Sequence, residues 1–296
     1  MKRIILFYTL LITALAYGTC VYAEEDCTAR ERRASASIWR VDPGCTPGLF
    51  TVAHTGTAGA PSDTVFLAQG NLQVCPTDRT SATAYRFSEH QAEVGSTDNV
   101  TWGRLNDRWY DLFAYGDASW AQHPICKAGD QANQWAALTK EQWQYLFART
   151  DANGLLYAFC TMNVNVKIAE GVKEAKNVSG VLLLPDKYTD PTGISLTRGT
   201  KTFATNHLTE EQWNSLSAVG VVFLPCTGHM TGSTGSYEMT LQDVADHGYY
   251  WTATEKDGET AYAITFSDNT LNFATEVPKS TFCAVRAYYR VFTTNY

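Results

Sequence analysis

Apolar and polar positions follow two rhythms along this chain, and each rhythm predicts a different element. Leu138-Thr-Lys-Glu-Gln-Trp-Gln-Tyr-Leu146 and Leu208-Thr-Glu-Glu-Gln-Trp-Asn-Ser-Leu216 echo one another. In each copy a Thr stands where it can cap a helix, and a Gln three residues on can return the bond. The preceding Leu can pack on the Trp at the fourth helical position. A short apolar run ending in Pro follows each copy, Gly180-Val-Leu-Leu-Leu-Pro185 and Gly220-Val-Val-Phe-Leu-Pro225, which predicts helix and then buried strand. Residues 148–178 intervene in the first copy and almost nothing does in the second, so a solenoid repeat is excluded.

The second rhythm has period two. Tyr262, Ile264 and Phe266 alternate, Asp268-Asn269 supplies turn residues, and Leu271 and Phe273 alternate again, predicting a hairpin in which Phe266 faces Leu271 and Ile264 faces Phe273. Cys283 to Phe292 reads as one final strand, and Val65-Phe-Leu67 as an early one. Apolar patterning begins at Leu49, behind a polar, charged leader over 24–46, and no Pro/Gly/Ser linker interrupts 47–296. Two capped helices, short strands and much loop predict a single mixed α+β domain.

The first residues carry a different pattern. Lys2 and Arg3 precede an apolar run from Ile4 to Ala16, and Val21-Tyr22-Ala23 places small residues where a signal peptidase reads them. The run falls short of the roughly 20 residues of a spanning helix. Residues 1–23 therefore read as a cleavable secretory signal, with the mature chain exported to the periplasm, the cell surface or the medium. A competing reading makes Cys20 a lipid-modified N-terminus, although Tyr17-Gly18-Thr19 is a poor version of the signal that processing requires.

Export changes the meaning of charge and cysteine. The formal charge is −7, and loss of Lys2 and Arg3 makes it more negative by two. No basic cluster remains, which argues against nucleic acid as a partner. Eight cysteines are scattered without a C-x-x-C, a distribution that reads as structural disulfides rather than zinc or redox chemistry. Cys27 with Cys45 and Cys226 with Cys283 are the candidate pairs, and the connectivity is left open by the sequence.

The order and spacing of several motifs extend this picture. They are Pro47-Gly-Leu-Phe-Thr-Val52, Val65-Phe-Leu-Ala-Gln-Gly-Asn-Leu-Gln73, Tyr110-Asp-Leu-Phe-Ala-Tyr-Gly116, Asn133-Gln-Trp-Ala-Ala-Leu-Thr-Lys-Glu-Gln-Trp143, Gly248-Tyr-Tyr-Trp-Thr-Ala-Thr254 and Val285-Arg286. Together they resemble the Fibrobacter succinogenes major paralogous domain of exported Bacteroidales proteins. The resemblance implies a C-type lectin-like α+β fold, with two helices packed on short twisted antiparallel sheets and one face of long loops. It also implies a binding module, without naming a ligand. The tripeptides that bind calcium and sugar in C-type lectins are missing; Asp268-Asn269 is better explained as a turn.

Chemistry-bearing motifs are sparse. The six histidines show neither H-x-H nor H-E-x-x-H spacing, and no G-x-S-x-G elbow or Walker loop is present. Gly232-Ser-Thr-Gly-Ser236 lacks the Lys of a phosphate cradle, and Cys283 lacks the neighbouring cysteine that a formylglycine-generating enzyme needs. The expectation is a non-catalytic module without metal or cofactor that binds a protein or carbohydrate, with an assembly role in a surface appendage as the alternative and an enzyme of unrecognised type as the third reading. Two surfaces are candidates: Trp102, Trp109 and Trp120 in polar stretches, whose rings can stack on sugars or anchor an interface, and the C-terminal loop face of Glu255, Asn269 and Asn272.

Overall fold

A computed structural model describes residues 44–53, 63–75, 84–94, 100–101, 109–116, 118–125, 130–169, 172–232 and 238–289. The signal segment, Cys20, Cys27, Trp102 and most of the polar leader lie outside the described residues, as does most of the Gly232–Ser236 loop.

Strands dominate. In chain order they are β1 (Cys45–Ala53), β2 (Asp63–Ala68), β3 (Leu72–Val74), β4 (Tyr85–Phe87), β5 (Val100–Thr101), β6 (Leu112–Ala114) and β7 (Trp135–Ala137), followed by helix α1 (Lys140–Ala148). Next come β8 (Thr150–Asp151), β9 (Gly154–Leu155), β10 (Tyr157–Ala169), β11 (Val172–Leu183) and β12 (His207–Thr209), then helix α2 (Glu210–Ala218). The remainder is β13 (Val222–Pro225), β14 (His229–Gly232), β15 (Glu238–Gln242), β16 (Gly248–Glu255), β17 (Thr260–Ser267), β18 (Thr270–Pro278), β19 (Phe282–Ala284) and β20 (Ala287–Tyr289).

This corrects the expected α+β, C-type lectin-like class. The protein is mostly β, with two nine-residue α-helices among the described residues. Its sheets have the orders β1-β2-β20-β7, β12-β10-β11-β13, and β18-β17-β16-β19-β14-β15-β5 with β6 joined to β19, besides two two-stranded ribbons. The physical reason lies largely in residues 148–178, which carry no helical rhythm and instead form most of the long β10–β11 hairpin, paired from Tyr157↔Leu183 to Ala169↔Val172.

Both helices stand where the echo predicts. Thr139 accepts a bond from the Gln142 amide at 3.2 Å and its own amide donates to Gln142 Oε1 at 2.9 Å; Thr209 and Gln212 repeat this at 3.3 and 3.0 Å. Each box satisfies amides that a helix start leaves open. Leu138 and Trp143 are completely buried, as are Leu208 and Trp213 very nearly.

The two helices nevertheless cover different cores. On β10, β11 and β13 successive side chains point to opposite faces. Phe159, Val181, Leu183, Val222 and Leu224 share one core with Trp143, Leu146 and Phe147 of α1. Cys160, Met162, Leu182 and Phe223 share another with Trp213 and Leu216 of α2. Gly180 sits where β11 runs between β10 and β13, and a Cβ there would strike the Leu224 carbonyl and the Phe223 ring. A third core holds Trp120, Trp135, Trp251, Phe87 and Tyr289.

The single final strand is also corrected: it breaks at Val285–Arg286 into β19, in the eight-stranded sheet, and β20, in the β1 sheet. Arg286 enforces the break. It is 1 % exposed, donates to the carbonyls of Ala68 at 3.1 Å and Phe223 at 2.7 Å, and reaches Gln91 Oε1 at 3.3 Å, joining three segments at one point. Burial pulls its guanidinium down to about 10.

The cysteine expectation changes too. Cys226 and Cys283 are free buried thiols, so the staple between them is not formed. Cys226 follows β13 and Cys283 lies in β19, strands of different sheets. The Cys27–Cys45 pair involves a residue outside those described.

Candidate functional site

The residues singled out in the sequence do not converge. Trp120 is 7 % exposed and belongs to the third core, which removes it as a surface ring. Trp109 is half-buried, with the Arg86 guanidinium 4.3 Å from its ring centroid. The Glu255 carboxylate pairs with Lys279 at 3.1 Å. Asn269 occupies the β17–β18 turn at φ 65, and its amide donates to the Lys201 carbonyl, while Asp268 Oδ1 accepts from the Phe203 amide at 3.0 Å. That turn is a docking point of the fold, in keeping with the turn reading. Asn272 Oδ1 is engaged by the Ala274 amide at 2.9 Å. Glu255 pairs with Ala261 near the start of β17 and Asn269 lies just past its end, roughly 20 Å apart at the rise of an extended strand.

A different set of side chains does converge. β14 and β15 pair with His229 opposite Gln242, and the chain then turns through Asp243–Asp246 into β16. The turn is closed by the His247 amide donating to the Asp243 carbonyl at 2.9 Å and the Ala245 amide donating to the Cys226 carbonyl at 3.0 Å. The Gly228 amide donates to the His247 carbonyl at 2.8 Å, so the strand entering β14 is laced to the start of β16. Gly228 has φ 63, and a Cβ on it would strike the Gln242 carbonyl and the Val244 amide; only glycine fits. Asp243 and Ala245 also adopt positive φ, 58 and 70, which non-glycine residues rarely do outside constrained turns.

This lacing brings His229, Asp243, His247 and Tyr249 together. The His229 ring lies 4.4 Å from the Tyr249 ring at 46°, and the His247 ring lies 6.2 Å from it at 35°. Asp243 Oδ2 is 3.6 Å from His229 Nδ1 and accepts a long bond from the Tyr249 hydroxyl at 3.5 Å. The His229 side chain is 13 % exposed and that of Asp243 is 42 % exposed; His247 and Tyr249 are half-buried.

Burial dominates the electrostatics. It lowers His229 below the usual imidazole value, opposed by the Asp243 carboxylate and assisted by His247. Burial, and after it the Asp243 charge, raise the Tyr249 phenol. At neutral pH the patch thus presents a neutral imidazole and a neutral phenol. A proton on His229 Nδ1 would face Asp243 and leave Nε2 as an acceptor. The buried thiols of Cys160, Cys226 and Cys283 are all pushed up by desolvation, away from the thiolate a nucleophile requires. Among the described residues no group of three or more His, Cys, Asp or Glu side chains is arranged to hold a metal ion.

The sequence signal for this patch was weak. Asp243, His247 and Tyr249 are close in the chain, but His229 joins them only through the register of the β14–β15 hairpin and the left-handed turn after it. Scattered surface histidines were the natural reading.

Fold and patch together define a mostly-β protein with a titratable, aromatic surface site. Residues 192–288 match a sequence family described as Domain of unknown function (DUF8237). The matched stretch holds all four patch residues and Arg286. No curated protein and no solved structure matches this chain. Among the described residues no helix is long and apolar enough to cross a membrane.

Proposed function

We propose that this chain is an exported, non-catalytic binding module that meets a protein or glycan at the cell surface or in the periplasm through the His229–Asp243–His247–Tyr249 patch. The carrying observation is that these four polar and aromatic groups converge at the surface on a turn of fixed, left-handed backbone. The candidate groups elsewhere are engaged in the fold: Trp120 in a core, Asn269 and Asn272 in backbone bonds. The resemblance to the Fibrobacter paralogous family supports export, as does the apolar run behind Lys2 and Arg3.

Two measurements test the reading. Mass spectrometry of the chain recovered from outside the cytoplasm is expected to give an N-terminus at Glu24; an intact Met1 in the cytoplasm sinks export, and a lipid on Cys20 replaces release by anchoring. Incubation of the mature chain on arrays of immobilised glycans and envelope proteins is expected to give saturable binding that a patch variant loses. Silence on both arrays removes the binding role.

An assembly role is favoured by one feature. The outer part of the β10–β11 hairpin, with Asn165, Glu174, Ala175, Lys176 and Asn177 exposed, extends beyond the pairings with β12 and β13. A two-stranded ribbon is marginal without further cover. Stoichiometric envelope partners that cross-link to this hairpin would favour assembly over ligand capture.

A further inference from the structure

We propose that the His229–Asp243–His247–Tyr249 patch is a subsite for a neutral, hydroxyl-rich glycan. The inference rests on the binding-module reading and adds the ligand's chemical class.

A sugar ring offers a C–H face and a rim of hydroxyls, each both donor and acceptor. The patch supplies groups of matching kind within one ring's reach. Tyr249 and His247, both half-buried, provide planar, weakly polar surface for the C–H face, with the largely buried His229 ring packed against Tyr249. The Asp243 carboxylate, turned through Oδ2 toward His229 and Tyr249, keeps Oδ1 without a hydrogen bond to the described residues. A carboxylate oxygen accepting from a hydroxyl forms a charge-assisted bond of about twice the strength of a neutral one. A proton on His229 Nδ1, 3.6 Å from Asp243 Oδ2, would leave Nε2 as a second acceptor.

Charge and surface character decide between ligand classes. The chain is acidic, and among the described residues the patch holds a carboxylate without a Lys or Arg in its contacts, so phosphate-, sulfate- or carboxylate-bearing ligands are repelled. A protein partner of ordinary size covers roughly 800 Å² per side and anchors on large apolar side chains. Leu49 and Val219 are the exposed large hydrophobics among the described residues, on β1 and just after α2, outside the patch. The turn is already held in its unusual conformation by backbone bonds from the Gly228, Ala245, Asp246 and His247 amides, so little ordering is left for binding to drive.

Asp243→Asn is the informative variant, because Asn tolerates the same left-handed backbone and keeps the shape while removing the charge and turning one acceptor oxygen into a donor. The mature chain is titrated calorimetrically with gluco-, manno-, galacto- and xylo-hexaose, and in parallel placed on an array of envelope proteins. At least one hexaose is expected to bind, with Asp243→Asn weakening it about tenfold or more and an unchanged thermal midpoint showing the fold intact. Tyr249→Phe, which keeps the ring, is expected to retain more affinity than Asp243→Asn. Equal binding by the parent and Asp243→Asn overturns the subsite while leaving the module. Binding of proteins alone overturns the glycan class. No binding on either arm overturns both the subsite and the module.

Discussion

Arg286 shows how much one residue can hold. Its guanidinium is the common donor to carbonyls of β2 and β13, and among the described residues it is buried without a carboxylate in hydrogen-bond contact. Arg286→Leu keeps much of the volume but leaves the Ala68 and Phe223 carbonyls without this donor, so a loss of roughly 3 kcal/mol is expected, measurable by urea denaturation. His229 gives a pH signature. Its folded value lies below the ordinary 6.5 because burial disfavours the charged form. The unfolded chain therefore takes up this proton first as pH falls, and the native state loses stability from about pH 6.5 downward, until the folded imidazole is itself protonated. Comparing denaturation midpoints at pH 8 and pH 5 should show a smaller drop for His229→Gln than for the parent chain. An identical drop would exclude His229 as a contributor.

At the scale of elements, legibility followed the range of the physical signal. Both helices could be read because a capping box and a staple lie within a few consecutive residues; Thr139→Ala and Thr209→Ala should each cost about 1 kcal/mol. The Thr139 variant is expected to cost more, since its box lies beside fully buried Leu138 and Trp143 whereas the Thr209 bonds are exposed. Equal chemical-denaturation shifts for the two would contradict that ranking. The β17–β18 hairpin was legible through its turn, and Phe266 does face Leu271. The predicted Ile264–Phe273 pair is displaced because the register shifts between Ala263 and Thr265. There Asn272 folds its oxygen over the Ala274 amide, which occupies one donor on an edge strand and discourages further pairing. The break at Val285–Arg286 was invisible, because it is set by carbonyls far away in the chain.

For the whole molecule, the sequence made the two α-helices among the described residues legible but not the arrangement of the sheets. β20 joins β2 and β7, β19 joins β16, β14 and β6, and none of these partners is adjacent in sequence. The candidate patch depends on the same long-range geometry, and for that reason individual histidine spacings were silent about it. The thiols offer a global test of packing. Cys160, Cys226 and Cys283 are completely buried, so an aromatic disulfide reagent should label them slowly in native buffer and rapidly after denaturation. Rapid native labelling at these positions would contradict the three-core packing.

The sheet shared by the two helices has a consequence for dissection. β12 is zipped to β10, β13 to β11, and Phe223 and Arg286 need Gln91 and Ala68 beneath them. A fragment trimmed to residues 192–288 would begin downstream of all four of those supports. Produced alone, it should emerge as sticky, unpaired ribbons with broad amide NMR signals, whereas adding the upstream residues in trans should restore dispersion. The stretch with a recognisable family pattern is one part of an interlocked object, and its boundaries are those of sequence similarity rather than of folding.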